Sequence, residues 1–438
     1  MHKKYDIVIL CGVNPYSGGG IIALDMMKAF KKDGHEVKII SNHFFDSKEE
    51  DIISICRNAQ DKKSTFKYSI SNIIKKVLTF VKREKVVFKY NMISLRNQET
   101  IKYSKFLLNR LERNPDFFIY MFSHYFLTPN DLRLLYKKTN SKILFWLMDS
   151  AAMTGGCHFT WDCKGYIEYC GNCPGIKSTK SVDLTNKNML LKHEVFNQIE
   201  IYPIYGGEKM KQMLMKSSLF KDKKIFKASP PVDKDFYNNS FKEESRKELV
   251  FPENKKLIFM AADQLSSERK GIKLLLQALD KLAKQLTTKE RENVLLIIAG
   301  HNLKAIEKDI PFQYKYLGFL SHDNFAKAIR SVHVFICPSI EDYGPMVINQ
   351  SFMSGTPVVA FDMGVASEIV HTGITGYKAK LGDVSDLTKG IKYILDLNPQ
   401  KWQTMSDTCR VLALNDFSVE KVRNDFYNVF ADILENKN

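Results

Sequence analysis

The chain has 438 residues, of which 44% are hydrophobic, and it carries a formal net charge of +16 at pH 7. This length favours two domains over one, and no run approaches the ~18 or more continuous apolar residues of a membrane span, which excludes an integral membrane protein. The first apolar run, Tyr5–Cys11, is short and contains Asp6, so we interpret it as a buried strand rather than a signal peptide. Eight cysteines without a secretion signal then predict a reducing, cytoplasmic location.

Short β-branched runs alternate with longer helical patterns along the whole chain, which predicts an α/β fold of parallel sheets wound with helices. The predicted strands of the first half are Tyr5–Leu10, Val37–Ser41, Phe117–Phe122, Lys142–Leu147 and Ile199–Ile204. Those of the second half are Leu257–Ala261, Val294–Ala299, Tyr314–Phe319, Val334–Cys337, Pro357–Phe361 and Gly376–Lys380. Ligands of open α/β sheets lie outside the carboxyl ends of the strands, so two such sheets facing each other would enclose a deep cleft.

Two adjacent prolines, Pro230 and Pro231, predict an extended segment that crosses between the halves. We therefore predict a first domain over residues 1–228 and a second over residues 229–417. We predict a last helix within residues 418–438, and one option is that this helix packs back on the first domain.

A glycine-rich loop, Ser17–Gly20, follows the first predicted strand and precedes a helix. Adjacent glycines such as Gly19 and Gly20 let the backbone approach a ligand or a facing domain closely. Such loops serve many nucleotide-binding folds, so the loop alone is a modest signal.

The stretch from Arg57 to Arg113 is strongly basic, with 15 Lys and Arg against 4 Asp and Glu. Its middle, Ile73–Arg83, mixes apolar and basic residues at roughly helical spacing. This pattern suits a helix lying in an anionic membrane interface, and it equally suits an ordinary amphipathic helix with a solvated basic face.

Four cysteines lie within a short insertion of the first domain, residues 153–176, in the spacing Cys-x5-Cys-x6-Cys-x2-Cys. They are Cys157, Cys163, Cys170 and Cys173. Four such thiols suit a structural tetrahedral zinc ion, although the first spacing is wider than the usual short zinc pair. An iron–sulfur cluster, redox disulfides and free cysteines are the alternatives.

The first charged segment of the second half lies beside a predicted helix start. Arg269 and Lys270 directly precede Gly271 and a helix over Ile272–Leu279. Two basic residues before a helix are more often a surface feature than a site.

The segment Glu341–Phe361 has the order loop, helix, glycine stop, strand. Pro345 suits the first helical position and Gly355 a left-handed helix stop. The amides of Gly344, Met346 and Val347 are then candidate donors to a phosphate, because a helix start attracts anions.

The residues of this segment resemble the nucleotide-sugar signature of retaining glycosyltransferase family 4. In that family a loop Glu is followed eight positions later by a second Glu, and a Gly-x-Pro-Val-Val turn comes next. Glu341 occupies the first position and Asn349 the second. The resemblance implies that Glu341 reaches the donor sugar, and that Asn349 faces the ribose with one acceptor and two donor hydrogens in place of a carboxylate.

Further matches extend the resemblance over nearly the whole chain. Glu368 lies in a stretch similar to the family's next glycine-rich loop, and Lys270 matches its Lys-Gly element, with Arg269 as a less direct match for its Arg. The loop of Gly19 and Gly20 is similar to the family's Gly-Gly loop, and His124 falls where such enzymes often present a His to the donor sugar.

The cysteine segment is similar to an insertion of colanic-acid and capsular-polysaccharide type bacterial glycosyltransferases. We infer that it shapes the acceptor site rather than holding a catalytic metal. The resemblance implies the GT-B fold, with two Rossmann-like domains facing across a cleft. It also implies transfer with retention of configuration and without a catalytic metal or other cofactor.

The sequence therefore predicts a glycosyltransferase that moves a sugar from a nucleotide-sugar donor to a glycan or lipid-linked acceptor, in bacterial surface polysaccharide synthesis. We expect it in the cytoplasm, with a peripheral position at the inner face of the plasma membrane as an option. A sugar-nucleotide epimerase or phosphorylase on the same fold is the alternative. Nucleic-acid binding is a remote one, because no basic module with exposed aromatic residues is recognisable.

Overall fold

The computed structural model describes residues 3–435 except 17, 44, 46–48, 56–87, 91, 95–96, 100 and 124–125. The chain divides into two compact units. The first comprises residues 1–206 and 210–228, and the second comprises residues 207–209 and 229–438. The basic helix predicted at Ile73–Arg83 lies outside the described residues.

The first unit is built on a parallel sheet of seven strands in the order β3-β2-β1-β4-β5-β6-β7. These strands are β1 (Asp6–Cys11), β2 (Glu36–Ser41), β3 (Ile52–Ser54), β4 (Phe117–Met121), β5 (Lys142–Leu147), β6 (Ile201–Tyr205) and β7 (Phe226–Lys227). The helices between them are α1 (Ile21–Lys32), α2 (Ser104–Leu108), α3 (Pro129–Thr139), α4 (Leu184–Phe196) and α5 (Glu208–Lys216), of which Glu208 and Lys209 are grouped with the second unit. The chain order reverses between β1 and β4, where parallel α/β sheets commonly bind ligands.

The second unit has a parallel sheet of six strands in the order β10-β9-β8-β11-β12-β13. Its strands are β8 (Lys256–Gln264), β9 (Val294–His301), β10 (Tyr314–Tyr316), β11 (Val334–Cys337), β12 (Val358–Phe361) and β13 (Gly376–Ala379). Its helices are α6 (Lys242–Glu248), α7 (Ile272–Gln285), α8 (Thr288–Glu292), α9 (His322–Ser331), α10 (Met346–Met353), α11 (Ala366–Ile369), α12 (Val384–Leu395), α13 (Pro399–Phe417) and α14 (Val419–Glu435). Here the order reverses between β8 and β11.

Both faces of the second sheet are buried. Along β8, Ile258 and Met260 belong to one apolar cluster, whereas Leu257 and Phe259 belong to another. Successive side chains of a strand point to opposite faces, so the two clusters are the cores on either side of the sheet. Covering by helices on both faces is typical of parallel sheets and explains why these strands read as continuous apolar runs.

The predicted α/β class and parallel sheets are confirmed. Lys142–Leu147 and Val334–Cys337 have the predicted bounds, and the other predicted strands shift or shorten at their ends. Two strands were not predicted, β3 and β7, and both are only two or three residues long at a sheet edge. Edge strands of that length bury too few side chains to leave an apolar pattern in the sequence.

The C-terminal helices belong to the second unit. Val232 forms a parallel bridge to Ser418, and its N–H donates to the carbonyl of Phe417. This bridge joins the first residues of the second unit to the junction between α13 and α14. Among the described residues, no helix is long and apolar enough to cross a membrane.

Candidate functional site

The carboxyl ends of β8 and β11 carry most of the predicted site residues of the second unit. Arg269 and Lys270 form a short 3-10 helix after β8, and Glu341 lies in the loop after β11. Because β8 and β11 are neighbours at the point where the strand order reverses, these residues meet at the position where α/β sheets bind ligands.

The helix that follows Glu341 starts one residue later than predicted. Pro345 has φ −62° and ψ 107°, so it is extended and precedes the helix, and Met346 is the first helical residue. Pro345 at the first helical position was therefore wrong, because its ring fixes φ but leaves ψ free. The amides of Met346 and Val347 lie in the first turn, where N–H groups have no intrahelical partner. Gly355 has φ +66° and ends the helix in the predicted left-handed conformation.

Glu341 is buried, with 6% of its surface exposed. Its Oε2 accepts a hydrogen bond from Nζ of Lys209, a residue grouped with the second unit, at 2.9 Å. Its Oε1 is buried without a hydrogen-bond partner among the described residues. A buried carboxylate oxygen in that state is costly, so it marks a place where a ligand hydroxyl would be stabilising.

Asn349 lies in the first half of α10 and is 3% exposed. Its Oδ1 is also buried without a partner in the described part of the chain. Glu341 and Asn349 therefore each present one unsatisfied acceptor, Glu341 in the loop before α10 and Asn349 in its first half. An isolated surface loop acid would show neither burial nor an unsatisfied oxygen.

Asp342 links the two predicted cations, and the sequence patterns did not single it out. Its Oδ2 accepts from Nη1 of Arg269 at 2.7 Å and from Nζ of Lys270 at 2.9 Å. Burial alone would raise the pKa of Asp342, but the charges of Lys270 and Arg269 outweigh burial and hold it well below its ordinary value. Asp342 is thus an ionised carboxylate that neutralises part of the cationic site.

Gly271 fixes the cationic turn against the acidic loop. It has φ +65°, and a Cβ at this position would lie 1.8 Å from the carbonyl oxygen of Pro338. The carbonyl of Arg269 in turn accepts from the N–H of Ile340 at 2.8 Å and of Glu341 at 3.3 Å. These contacts set the spacing between Lys270 and the Glu341 loop. The residue after Lys270 must be a glycine because any side chain there would clash with that loop.

Glu368 lies on α11, and its Oε1 accepts from the N–H of Glu208 at 2.7 Å. The carboxylate therefore has a protein partner in this structure. Its predicted role in donor binding stays a prediction.

The predicted site residues of the first unit have local explanations or lie outside the described residues. A Cβ on Gly19 would lie 2.5 Å from the ring of Phe122, and one on Gly20 would lie 2.0 Å from the carbonyl oxygen of Asn14. Gly20 is thus required by packing within its own loop and Gly19 by packing against the residue that follows β4, and contact with a donor stays a prediction. His124 lies outside the described residues.

The four predicted metal ligands fall in one loop cluster of the first unit. The thiols of Cys157 and Cys173 are hydrogen-bonded to each other, which raises the pKa of Cys157 and lowers that of Cys173. A Cβ at Gly165 would lie 3.6 Å from Sγ of both Cys163 and Cys170. Among the residues whose placement is described, no three His, Cys, Asp or Glu side chains are grouped so as to hold a metal ion. Zinc therefore stays a prediction.

A hydrogen-bonded chain of the buried residues Ser94 and His158 and the partly buried Asp149 lies beside this cluster. His158 Nδ1 is 2.8 Å from Asp149 Oδ2, and its Nε2 is 3.3 Å from Ser94 Oγ. Nearby, the ammonium of Lys192 donates to the carbonyls of Ala151 and Thr154 at 2.7 Å each. The adjoining cavity has a volume of about 40 Å³, which suits a few water-sized groups rather than a sugar ring.

Comparison with known proteins matches much of the second unit to one family. Residues 241–408 match the protein family described as "Glycosyl transferases group 1". The fold is that of GT-B glycosyltransferases. A glycosyltransferase from Rickettsia africae covers the whole chain at TM-score 0.66 and 18% identity. WaaG, a glycosyltransferase involved in lipopolysaccharide biosynthesis, covers 97% of this chain and 99% of its own at TM-score 0.62 and 11% identity.

Structures with bound ligand are among the similar folds. Anabaena Alr3699/HepE in complex with UDP and glucose covers 98% of this chain and 99% of its own, at TM-score 0.60 and 14% identity. The fold prediction is thus confirmed at the level of the GT-B architecture.

Curated relatives match shorter regions. The uncharacterized glycosyltransferase MJ1607 of Methanocaldococcus jannaschii is 30% identical over 115 residues, which are 25% of this chain and 28% of that protein. Phosphatidyl-myo-inositol mannosyltransferase of Mycobacterium leprae is 28% identical over 133 residues, which are 29% of this chain and 34% of that protein. The matched regions thus span about a third or less of these two relatives.

Proposed function

We propose that this chain is a retaining glycosyltransferase of family 4 that transfers a sugar from a nucleoside-diphosphate-sugar donor to a glycan or lipid-linked acceptor. The observation that carries the proposal is the set of groups at the reversal of the second sheet. Two cations, helix-start amides and two buried unsatisfied acceptors converge there. The "Glycosyl transferases group 1" match over residues 241–408 supports the same reaction class.

Each group has a role that its chemistry supports. Lys270 and Arg269 stabilise the negative charge that grows on the diphosphate as it departs. The amides of Met346 and Val347, with Gly344, bind a phosphate at the helix start. The unsatisfied Oε1 of Glu341 accepts from a hydroxyl of the donor sugar.

Asn349 faces the nucleoside in this proposal. Its unsatisfied Oδ1 accepts from one ribose hydroxyl, and its amide hydrogens donate to another oxygen. Catalysis then comes from orienting donor and acceptor and from charge stabilisation, without a catalytic metal. Anabaena Alr3699/HepE with UDP and glucose supports a uridine nucleotide as the first donor to test.

The acceptor and the cellular setting belong to the same proposal. WaaG acts in lipopolysaccharide biosynthesis and the mycobacterial relative is a phosphatidylinositol mannosyltransferase, which supports a surface glycan or lipid-linked acceptor. We propose a peripheral position at the inner face of the plasma membrane, mediated by the basic stretch around Ile73–Arg83. Flotation with anionic liposomes tests it: no binding at low salt would exclude membrane attachment.

The experiment that tests the proposed function begins with thermal unfolding in the presence of UDP, GDP and ADP, because a ligand that binds the native state raises its stability. UDP-, GDP- and ADP-sugars are then assayed with polysaccharide-repeat and lipid-linked acceptors, and the anomeric configuration of the product is read by NMR. We expect retention and full activity in EDTA. Donor consumed without acceptor would indicate an epimerase instead.

Lys270→Ala is the matched test of the site, with Lys284→Ala as its control. Lys284 lies on the exposed face of α7 and pairs with Asp280, so the control substitution removes the same charge at a position outside the site. We expect Lys270→Ala to lower the turnover number at least a hundredfold while the fold is retained, by analogy with loss of a transition-state charge contact. Normal turnover in Lys270→Ala would refute the assignment.

A further inference from the structure

Asp342 pairs with the two cations that the proposed function assigns to the diphosphate of the donor. Both Arg269 Nη1 and Lys270 Nζ donate to the same oxygen, Oδ2, at 2.7 and 2.9 Å. Asp342 is 8% exposed, and the other oxygen of its carboxylate accepts from the N–H of Tyr343 at 3.0 Å. The pair of cations is therefore already neutralised in part before any nucleotide arrives.

We propose that Asp342 is a resident counter-anion of the donor site, which holds Arg269 and Lys270 in place and weakens the binding of the nucleoside diphosphate product. This inference rests on the proposed function, because it takes the anion at Arg269 and Lys270 to be the donor's diphosphate. It makes Asp342 a positioning residue that sets product release, a role that the family match does not assign to this position.

The charge balance gives the direction of the effect. Arg269, Lys270 and Asp342 together carry a net charge of +1 at neutral pH, because the two cations hold the Asp342 carboxylate ionised. A sugar diphosphate carries two negative charges, and the released nucleoside diphosphate carries up to three, because breaking the sugar–oxygen bond leaves the electron pair on the phosphate oxygen. Repulsion from Asp342 therefore acts more strongly on the product than on the donor.

The loops leave Asp342 little freedom to withdraw. Its N–H contacts Sδ of Met363 at 3.0 Å, and the neighbouring N–H groups of Ile340 and Glu341 are bound to the carbonyl of Arg269. The carboxylate consequently stays near both cations when a diphosphate binds. The ammonium and guanidinium groups are then shared between two anions.

The test compares Asp342→Asn with wild type by isothermal titration with UDP, UMP and uridine, or with the GDP or ADP series if the thermal screen selects that base. Asparagine has the same shape and no charge. Removing a unit charge about 5–10 Å from the phosphates predicts that the variant binds the diphosphate about tenfold to a hundredfold more tightly. The gain should be smaller for the monophosphate and absent for the nucleoside. Asp280→Asn, which removes the same charge from an exposed ion pair on α7, should change none of the affinities.

Steady-state kinetics give a second measurement of the same variant. We expect stronger inhibition by the nucleoside diphosphate product, with a smaller change in KM for the nucleotide sugar. The inference is overturned if Asp342→Asn binds the diphosphate no more tightly than wild type does, or if the gain in affinity is the same for the diphosphate and the nucleoside. Either result leaves the proposed function standing. Wild type that binds none of the three diphosphates would remove both.

Loss of Asp342 leaves two half-buried cations without their anion, so the unliganded variant should unfold at a lower temperature. The double variant Arg269→Gln, Asp342→Asn removes one charge of each sign and serves if the single variant does not fold. Arg269→Gln alone should weaken diphosphate binding, and adding Asp342→Asn should restore it to within about threefold of wild type. A double variant that binds as weakly as Arg269→Gln alone would contradict the role of Asp342.

Discussion

Single residues of the candidate site differ in how visible they are from sequence. Glu341 and Lys270 stand in spacings that resemble a known signature, and Gly355 has the left-handed conformation expected of a helix stop. Asp342 and Lys209 were not predicted, because an acidic or basic residue in a loop carries no sign of what it faces. Only the placement of β8 beside β11 shows that Asp342 pairs with both cations.

His333 illustrates a buried titratable residue outside the site. Its Nδ1 accepts from the N–H of Leu257 at 2.8 Å, and Lys242, Arg246 and Lys256 face the ring. Burial first, and then these three cations, lower the pKa of His333 from 6.5 to about 3. The folded state therefore keeps this histidine neutral where the unfolded state takes up a proton.

We predict that this histidine makes the second unit acid-sensitive. Between pH 6.5 and about 3 the unfolded state binds one more proton at His333, so stability falls as the pH falls, by up to about 1.4 kcal/mol per pH unit. Urea unfolding of wild type and His333→Asn from pH 7.5 to 4.5 checks this. The variant keeps a hydrogen-bond acceptor but does not titrate, so the difference in free energy of unfolding between wild type and variant should shrink as the pH falls. A difference that stays constant with pH would contradict the prediction. His301→Asn, at an exposed histidine, is the control.

At the scale of elements, the interior strands were predictable and the edges were not. Strands such as β5 and β11 are buried on both faces and leave continuous apolar runs bounded by turns. The start of α10 was misplaced by one residue, because the ψ of Pro345 depends on how the preceding loop is held. Loop contacts of this kind come from residues far apart in sequence, such as Arg269 and Ile340.

The turn between β8 and α7 gives an element-scale prediction. Gly271→Ala adds a Cβ that would meet the carbonyl of Pro338 at 1.8 Å, so the turn must move away from the Glu341 loop. Gly318→Ala is the matched control, because Gly318 has φ +68° and no atom within 4 Å of the added Cβ. We expect about 1 kcal/mol of destabilisation for Gly318→Ala from backbone strain alone, and clearly more for Gly271→Ala together with loss of nucleotide binding. Denaturant unfolding and UDP titration measure both, and equal effects in the two variants would contradict the steric account.

The cysteine segment gives a second element-scale prediction. We propose that one zinc ion binds Cys157, Cys163, Cys170 and Cys173, and that it stabilises the first unit. Metal analysis of protein purified without chelator should find about one zinc per chain, and Cys163→Ser should lose it while Cys409→Ser in the second unit retains it. Two results would contradict this proposal. One is iron with visible absorption, and the other is native protein that, purified without chelator, contains no metal and has four freely titrating thiols.

At the scale of the whole molecule, composition and alternation were sufficient for the α/β class and parallel sheets. The order of strands within each sheet, and hence the reversal between β8 and β11, is not written in any local pattern. That reversal brings residues about 70 positions apart, such as Lys270 and Asp342, into one site. Motif resemblance could select the residues, but only the topology explains why they converge.

The division into two units predicts how ligand binding energy is distributed over the chain. The helix-start amides, both cations and Asn349, which we propose bind the nucleotide, all belong to the second unit, so we expect a nucleoside diphosphate to stabilise that unit directly. Hydrogen exchange with saturating UDP, GDP or ADP, whichever binds, should slow in peptides covering residues 266–272 and 338–352. Exchange in the core strand β5 of the first unit should stay unchanged. Lys270→Ala, which weakens diphosphate binding, should abolish the effect at the same ligand concentration. Protection confined to the first unit would mean that the nucleotide binds elsewhere and that the site at the reversal of the second sheet has another ligand.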